Sequence, residues 1–332
     1  MKGFKSKTIN VLELEKGILS GDRITLAKAI TLIESQLSED QLKAEELIEK
    51  LLPKTGHSIR IGITGVPGVG KSTFIEAFGK HLTSLEKKIA VLAVDPSSQK
   101  TKGSILGDKT RMDDLSKNPF AFIRPSATRG ALGGVTTATR EAVLLCEAAG
   151  FEIIIIETVG VGQSEIAVRE ITDFFLLLML AGAGDELQGI KKGIMEMADG
   201  IIITKADGEN TKQARQAQAD YQHALHLFGA SESGWTPTVL TTSALTNMGV
   251  PEVWNMIQKF ENLTRANGFF DDQRTTQDVF SLHQGVNELV QNFVRDKAQS
   301  LLSSLEENIK LKKLSSRRAS RILLENILDL KK

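Results

Sequence analysis

Residues 65–72 read Gly65-Val66-Pro67-Gly68-Val69-Gly70-Lys71-Ser72, a complete G-x-x-x-x-G-K-S motif. The motif follows the apolar run Ile59–Thr64 and precedes a helical segment that begins at Thr73, so it stands between a predicted strand and a predicted helix. Glycines in such a turn let backbone N–H groups point inward, and the N-terminus of the following helix adds partial positive charge. The stretch therefore predicts a loop that holds the phosphate groups of a nucleotide.

Two side chains of this loop carry specific chemistry. Lys71 is expected to reach the β- and γ-phosphates of the nucleotide, and the hydroxyl of Ser72 is expected to bind Mg²⁺. Because the loop also acts through its backbone, every residue of it is predicted to contact the nucleotide. These residues are Gly65, Val66, Pro67, Gly68, Val69, Gly70, Lys71, Ser72 and Thr73.

Seven short apolar runs predict the strands of one sheet. They alternate with helical stretches, and strands joined by crossover helices form a mostly parallel central sheet flanked by helices. The predicted fold class is therefore α/β, the P-loop NTPase fold, in which ligands bind beyond the carboxyl ends of the strands. The runs are Ile59–Thr64, Ile89–Val94, Ala121–Arg124, Glu152–Ile156, Phe174–Leu180, Gly200–Thr204 and Thr238–Thr242.

A second motif, Thr204-Lys205-Ala206-Asp207, closes the sixth run and indicates the base of the nucleotide. The carboxylate of Asp207 can accept two hydrogen bonds from guanine, one from N1–H and one from the 2-amino group. Adenine offers neither donor, so it would leave a desolvated carboxylate unpaired. Lys205 is expected to lay its aliphatic stem over the base. The usual GTPase motif has Asn where this chain has Thr204, which puts the affinity in question more than the identity of the base.

The segment Ser243, Ala244 and Leu245 lies one strand–helix unit further along the chain. It matches the GTPase loop whose backbone N–H contacts the 6-oxo group of guanine. Together the two motifs favour GTP and GDP over adenine nucleotides.

Carboxylates at two strand ends are candidates for binding Mg²⁺. Asp95 lies at the end of the second predicted strand, and Glu157 ends the fourth, with Gly160 three residues later. A carboxylate can hold Mg²⁺ directly or through water, and a glycine N–H can contact the γ-phosphate. Each carboxylate also has a simpler interpretation: Asp95 as a turn-forming residue before Pro96, and Glu157 as a polar strand end.

The composition is that of an ordinary globular protein of 332 residues, with 41% hydrophobic and 25% charged residues. Lysine plus arginine and aspartate plus glutamate balance at 41 each, which gives no electrostatic reason to expect nucleic acid or an anionic membrane as a partner. The single cysteine, Cys146, excludes an intrachain disulfide and fits a reducing compartment. The N-terminus has no apolar core of signal-peptide length, so a cytoplasmic location is expected.

Helical patterns flank the predicted sheet on both sides. We predict an N-terminal helical extension at 1–56, a nucleotide-binding domain at 57–262 and a C-terminal helical region at 263–332. Apolar stripes in the last region predict three helices with little core of their own, which must pack on the α/β domain or on a second copy of the chain. The stripes are Val279, Leu282, Val286, Leu289, Val290 and Phe293; Leu301, Leu302, Leu305 and Ile309; and Ile322, Leu323, Ile327 and Leu328.

Eight segments, in order, resemble the MeaB/ArgK family of P-loop GTPases. The resemblance implies a GTP-hydrolysing chaperone that gates adenosylcobalamin loading or repair of an acyl-CoA mutase such as methylmalonyl-CoA mutase. It also implies a homodimer formed by the C-terminal helices. The segments are VPGVGKST, VDPSS, GDKTRM, RPSATRGALGGV, ETVGVGQSE, AGAGDELQGIKKGI, TKAD and TSAL.

The resemblance implies that Asp108 is a further switch residue, and with it the expected sets of metal ligands and catalytic residues are complete. Asp95 and Asp108 would lie near Mg²⁺ and the attacking water, and a mobile switch suits the polar stretch around Asp108. The expected metal ligands are then Ser72, Asp95, Asp108 and Glu157, and the expected catalytic residues are Lys71, Asp95, Asp108 and Glu157.

Two more segments belong to the same resemblance. Residues 182–193 would form a switch that faces the partner, with Lys191 and Lys192 as candidates for signalling the nucleotide state, although a solvated helix start is a simple alternative. The glycine-rich stretch at 127–134 has no physical role that the residues themselves indicate.

Two other classes of function stay open. A kinase, of the type associated with transport of lysine, arginine and ornithine, needs a group that takes the acceptor's proton. Asp95 and Asp108 are candidates for that group, but the guanine-reading motif favours a switch. A metallochaperone needs clustered soft or imidazole ligands. This chain has one cysteine and scattered histidines, of which only His223 and His226 are close in sequence, so metal insertion is the weaker alternative.

Overall fold

The computed structural model describes residues 10–35, 37–94, 112–124, 132–158, 164–182, 192–228 and 231–327. The chain divides into two compact units, residues 1–277 and residues 278–332.

Within these ranges, the first unit is built on a seven-stranded sheet in which every pair of neighbouring strands is parallel. All seven predicted runs form strands, as expected for short apolar segments that are buried on both faces. The spatial order is β3-β2-β4-β1-β5-β6-β7, which places β1 at the centre, between β4 and β5. The strands are β1 Ile59–Gly65, β2 Ile89–Val94, β3 Ala121–Arg124, β4 Ile153–Thr158, β5 Phe174–Leu180, β6 Gly200–Thr204 and β7 Thr238–Thr241.

Helices cover both faces of this sheet. On one face, α4 and α10 pack on the inward side chains of β1 and β5 around Phe74, Phe78 and Phe260. On the other face, the N-terminal helices and α6 pack on β2 and β4, and α9 packs on β6. The helices are α1 Val11–Leu19, α2 Arg23–Ile33, α3 Ser38–Leu51, α4 Lys71–Ser84, α5 Asp113–Lys117, α6 Leu132–Ala148, α7 Ser164–Arg169, α8 Lys192–Glu196, α9 Thr211–Leu225 and α10 Val250–Ala266.

The N-terminal helices share their core with the sheet. Leu26, Ile30 and Leu47 are almost completely buried and belong to the same apolar cluster as Ile154 and Ile156 of β4. Each such side chain contributes roughly 1.5–3 kcal/mol on burial, so α1 to α3 are fixed by the sheet domain that they cover.

The C-terminal residues form two long helices, α11 Phe269–Lys310 and α12 Ser316–Ile327. The expectation of three helices was therefore wrong: the first two apolar stripes lie on α11, a single helix of 42 residues. No glycine or proline stands between Val286 and Lys310, so the sequence contains no residue there that would end a helix. Among the described residues, no helix combines the length and the apolar character needed to cross a bilayer.

Candidate functional site

The loop at 65–70 turns the chain from the carboxyl end of β1 into α4. Glycine is required at Gly65 because a Cβ there would lie 2.5 Å from the carbonyl oxygen of Leu178 on β5. Gly70 has a φ of 96° and is the N-cap of α4, a left-handed conformation that favours glycine. The first N–H groups of α4 lack partners within the helix, so this loop presents donors and the positive end of a helix dipole at one place.

Lys71 is the first residue of α4, and only 9% of it is exposed. Its Nζ donates to the carbonyl oxygens of Gly65, at 2.7 Å, and Val66, at 3.4 Å, which hold the ammonium over the loop. Burial lowers the pKa of Lys71, and the carboxylates of Glu157 and Glu165 offset part of this effect. The ammonium has three donors, so two carbonyls leave one N–H for another acceptor.

Ser72 and Glu157 meet beside this lysine. Ile63 of β1 and Glu157 of β4 are partners in the strand register, so the end of β4 lies next to the start of the loop. The hydroxyl of Ser72 donates to Oε1 of Glu157 over 3.2 Å, and Glu157 is 7% exposed. A hydroxyl and a carboxylate are hard oxygen ligands of the kind that Mg²⁺ prefers.

Two residues after β6 contact the loop at 65–70 directly. The hydroxyl of Thr204 donates to the carbonyl of Val69 at 2.7 Å and lies 3.2 Å from the carbonyl of Met179. Lys205 has a φ of 56°, and its Nζ donates to the carbonyl of Gly68 at 3.0 Å. Thr204 thus joins the end of β6 to the loop with its hydroxyl, a task for which an Asn amide would also have a donor.

Asp207 lies in the same segment, and the hydroxyl of Ser243 donates to its carboxylate. The segments after β6 and β7 are also joined through their backbones, because the N–H of Ala206 donates to the carbonyl of Thr242 at 3.0 Å. Ser243 is completely buried, so it fixes the direction of the Asp207 carboxylate, which is itself half-buried. Such a fixed carboxylate can accept hydrogen bonds from two adjacent donors of a planar base.

The structure brings most of the predicted site residues to one edge of the sheet. These residues lie at the carboxyl ends of strands or just after them: the loop at 65–73, Glu157, the segment at 204–207 and the segment at 243–245. Within this group, the side chain of Val69 is buried in the core, so only its backbone is available to a nucleotide. The side chain of Leu245 is 81% exposed. His223 and His226 both lie at the carboxyl end of α9, away from this edge.

Several predicted residues lie outside the described residues. They are Asp95, Asp108, Gly160 and Lys191, together with most of the stretches 127–134 and 182–193.

Sequence reasoning missed Glu165. This residue of α7 is 4% exposed, and its Oε2 has no hydrogen-bond partner among the described residues. It is also one of the two carboxylates whose charge acts on Lys71. The only signal in the sequence is its place eight residues after Glu157, in a segment that the family resemblance already contained.

Comparisons with known proteins agree with this geometry. Residues 26–299 match the family described as methylmalonyl Co-A mutase-associated GTPase MeaB. The chain is 53% identical to a putative GTPase of Caulobacter vibrioides over 271 residues, which cover 82% of this chain and 83% of that protein. It is 48% identical to the GTPase ArgK of Escherichia coli K12 over 272 residues, which cover 82% of each chain.

A solved structure extends the similarity to nearly the whole chain. The crystal structure of a LAO/AO transport system kinase has a TM-score of 0.76 and 38% sequence identity, and the match covers 97% of this chain and 100% of that one. The family match spans well over half of the chain, and the relatives are similar over most of their own length. The chain with this strand order and this phosphate-binding loop therefore belongs to the MeaB family of GTPases.

Proposed function

We propose that this GTPase is a chaperone that gates adenosylcobalamin loading or repair of an acyl-CoA mutase, such as methylmalonyl-CoA mutase, in the cytosol. The family description, which names a mutase-associated GTPase, supports this partner. The observation that carries the nucleotide part of the proposal is that Thr204 and Lys205 both bind carbonyls of the loop at 65–70. The parts that would hold the phosphates and the base therefore form one connected unit.

Guanine is the base that fits this unit. Ser243 holds the Asp207 carboxylate, which would accept hydrogen bonds from N1–H and the 2-amino group of guanine. Lys205, which is exposed and crosses toward the loop, would cover the base plane with its methylene groups. An adenine in the same place would offer Asp207 no donor of its own, which costs affinity.

The oxygen atoms around Ser72 fit a magnesium ion. The Ser72 hydroxyl and the Glu157 carboxylate would hold the ion, with Asp95 and Asp108 as further ligands that the family resemblance suggests. When bound, Mg²⁺ would neutralise part of the negative charge on the phosphates.

The chain's own contribution to hydrolysis is positioning and electrostatic stabilisation. Lys71 and the N–H groups of the loop would stabilise the charge that develops on the phosphate oxygens while a water attacks. Gly160, in the segment after β4, would contact the γ-phosphate. We expect slow hydrolysis of GTP to GDP and phosphate by the chain alone and faster hydrolysis with the mutase bound, because no arginine that would complete the site is evident in the sequence.

We propose that the C-terminal region at 263–332 forms a homodimer; the other two proposed regions are the N-terminal extension at 1–56 and the sheet domain at 57–262. An exposed apolar row on α11 supports this: Val279, Leu282, Val286, Leu289, Val290 and Phe293 are each 48–70% exposed. Rows of this size on one helix are typical of protein interfaces. A monomer mass in light scattering would contradict the dimer.

The partner is tested with purified components first. Hydrolysis by this chain is measured alone and with a saturating adenosylcobalamin-dependent mutase, and release of labelled phosphate is compared with labelled protein. An unchanged rate would contradict the chaperone role, and label that appears on protein or arginine would favour the kinase alternative.

A pull-down from the native cytosol with GTP, with GDP and without nucleotide then identifies the client. Recovery of a cobalamin-dependent mutase that depends on the nucleotide supports the assignment. Recovery of a different enzyme with the same dependence would leave the GTPase in place and remove the mutase.

A further inference from the structure

We propose that Glu165 is a positioning residue that, together with Glu157, supplies the counter-charge of Lys71 and thereby keeps the guanine nucleotide exchangeable. The inference rests on the nucleotide site proposed above, and it does not depend on which partner the protein has.

The first observation is the burial of Glu165 without a matching hydrogen bond. Only 4% of this residue is exposed, and its Oε2 has no partner among the described residues. The buried carboxylate of Glu147, by contrast, accepts hydrogen bonds from Arg60, Ser58 and the N–H of Gly56. Burial of a carboxylate oxygen without a donor costs free energy, and a nearby positive charge can offset that cost.

The second observation is which positive charge lies near it. The charges that act on the Lys71 ammonium are those of Glu157 and Glu165, from β4 and from α7. Glu157 is occupied by the Ser72 hydroxyl. Glu165 acts on Lys71 through its charge, and its Oε2 accepts no hydrogen bond from the described residues.

The third observation is where α7 lies. Val168 and Thr172 pack against Gly62 of β1, since a Cβ added there would meet Val168 Cγ1 at 3.0 Å and Thr172 Oγ1 at 3.1 Å. Glu165 precedes Val168 by one helical turn, so it lies on the same face of α7. β1 leads directly into the loop at 65–70, and the packing of α7 on β1 therefore holds Glu165 close to that loop.

The consequence for nucleotide binding follows from the charges. Glu165 attracts Lys71 but repels the phosphates that Lys71 would contact, so its carboxylate lowers the net attraction of the site for a nucleotide. A switch protein that binds its nucleotide weakly can exchange GDP for GTP without a separate exchange factor. Glu165 would set that balance without touching the nucleotide.

The test is the affinity and release rate of a fluorescent GDP analogue, with Mg²⁺ present, in the full chain. Glu165→Gln keeps the shape and removes the charge, and we expect it to bind the analogue about 3- to 10-fold more tightly, with slower release. Glu165→Asp keeps the charge and should stay close to the original protein. Glu170→Gln is the matched control, because it removes one carboxylate from the end of the same segment, and Glu170 is not among the charges that act on Lys71.

A gain in affinity is informative because damage to the fold would weaken binding. Equal or weaker binding by Glu165→Gln would overturn the inference, and so would an equal gain in Glu170→Gln. Weaker binding only at low Mg²⁺ would assign Glu165 to the metal instead and would also overturn it. Failure of the original protein to bind any guanine nucleotide would remove the proposed site itself, which is a separate result.

A thermodynamic cycle tests the contact with Lys71 independently of nucleotide. Urea unfolding is measured for the original protein, Glu165→Gln, Lys71→Met and the double variant. If Glu165 is the counter-charge of Lys71, Glu165→Gln should stabilise the Lys71→Met protein, where the carboxylate has lost its cation, and should not stabilise the original to the same extent. Additive effects would overturn the contact.

Discussion

The two edges of the central sheet use buried charge in opposite ways. At the amino ends of the strands, Glu147 receives two hydrogen bonds from Arg60, at 2.9 and 3.1 Å, one from Ser58 and one from Gly56. Beside it, Arg274 of α11 binds both oxygens of Asp173, at 2.8 and 2.7 Å. At the carboxyl ends, Lys71 holds only carbonyls, and Glu165 has an oxygen without a partner among the described residues.

The difference separates stability from function. Arg274 also donates to the carbonyls of Gly56 and Ser58, at 2.8 and 2.6 Å, so its guanidinium links α11 to the start of β1 and to β5. Gln273 and Gln277 add hydrogen bonds to the carbonyl of Thr172, at 3.2 and 2.9 Å. The two buried ion pairs at this edge are committed to the fold, whereas at the opposite edge the ammonium of Lys71 keeps a donor for a ligand.

The sharpest test of the carboxyl edge is Lys71→Ala. We expect GTP hydrolysis and nucleotide affinity to fall about 100-fold or more, because one charge-stabilising donor is typically worth that much. The protein should still fold, but with a lower thermal midpoint, because the buried carboxylate of Glu165 then lacks the ammonium that offsets its charge. Hydrolysis assays, nucleotide titration and circular dichroism are the measurements.

The control is Lys80→Ala on the same helix. Lys80 is exposed and pairs with Glu76 and Asp114 at the surface. It should hydrolyse GTP like the original protein. Equal hydrolysis rates in Lys71→Ala and the original would mean that the site is misassigned.

The amino edge is tested by Arg274→Met. This change leaves the buried Asp173 without its cation, and removal of one partner from a buried pair costs about 3–5 kcal/mol of the free energy of unfolding. Nucleotide affinity at a temperature where the protein is folded should be unchanged. Urea unfolding gives the first quantity and nucleotide titration the second.

Arg265→Met is the comparison for this variant. Arg265 and Arg274 both stack on the ring of Phe270, with their Cζ atoms 3.9 and 4.5 Å from its centroid. The ion pair of Arg265 with Glu261, however, is partly exposed. Arg265→Met should lower the free energy of unfolding by less than about 1 kcal/mol. Similar losses in the two variants would show that the buried pair has no special weight.

At the same edge, Glu147→Gln should change how the free energy of unfolding depends on pH. Burial alone would raise the pKa of Glu147, but the charge and hydrogen bonds of Arg60, with Ser58 and Gly56, lower it below the usual 4.5. A group whose pKa falls on folding stabilises the protein above its unfolded-state pKa and loses that effect as the pH falls through the folded-state value. At neutral pH the free energy of unfolding of the original protein should therefore be about 2–3 kcal/mol larger than that of the variant. This difference should disappear below about pH 4.

Urea unfolding at several pH values from neutral to acid measures this gap. A gap that is independent of pH would mean that Glu147 contributes packing and not charge. Glu152→Gln is a suitable control, because its pair with Lys87 is largely exposed.

The smallest expected effect concerns Thr204. Thr204→Val keeps the shape and removes the hydroxyl that binds the carbonyl of Val69, so nucleotide affinity should fall about 5-fold, the value of one hydrogen bond. Thr204→Asn restores a donor and should bind within about twofold of the original. Nucleotide titration decides, and an undiminished affinity in Thr204→Val would mean that the hydroxyl does not support the loop.

Much of the architecture could be read from local pattern. The strands were recognisable because short apolar runs between helices need no long-range information, and the observed bounds differ from the predicted ones by at most a few residues. The helical stripes of the C-terminal region were recognisable as helical but not as one helix or two, because apolar periodicity does not record where a helix ends. At the start of α2, the side chain of Asp22 accepts from the N–H groups of Ile24 and Thr25, a local contact that this residue type favours at helix starts.

The candidate site likewise has parts that local sequence predicts and parts that depend on long-range contacts. The loop at 65–72 and the segment at 204–207 are contiguous in sequence, so their chemistry follows from residue type and spacing alone. The contact that joins them, between Thr204 and Val69, spans 135 residues. No periodicity predicts such a contact, and Glu165 gave no signal beyond its position.

The sequence by itself determined the α/β class, the order of strands and helices along the chain, the phosphate-binding loop and the guanine-type motif, because each depends on neighbouring residues. The tertiary structure decided the order of strands in the sheet, the pairing of Arg60 with Glu147 and of Arg274 with Asp173, and the place of Glu165 near Lys71. The pair of Arg274 and Asp173 joins residues 101 positions apart. Which buried charges meet over such separations depends on how the whole chain packs, because a charge in the interior is stable only where the fold brings it a partner.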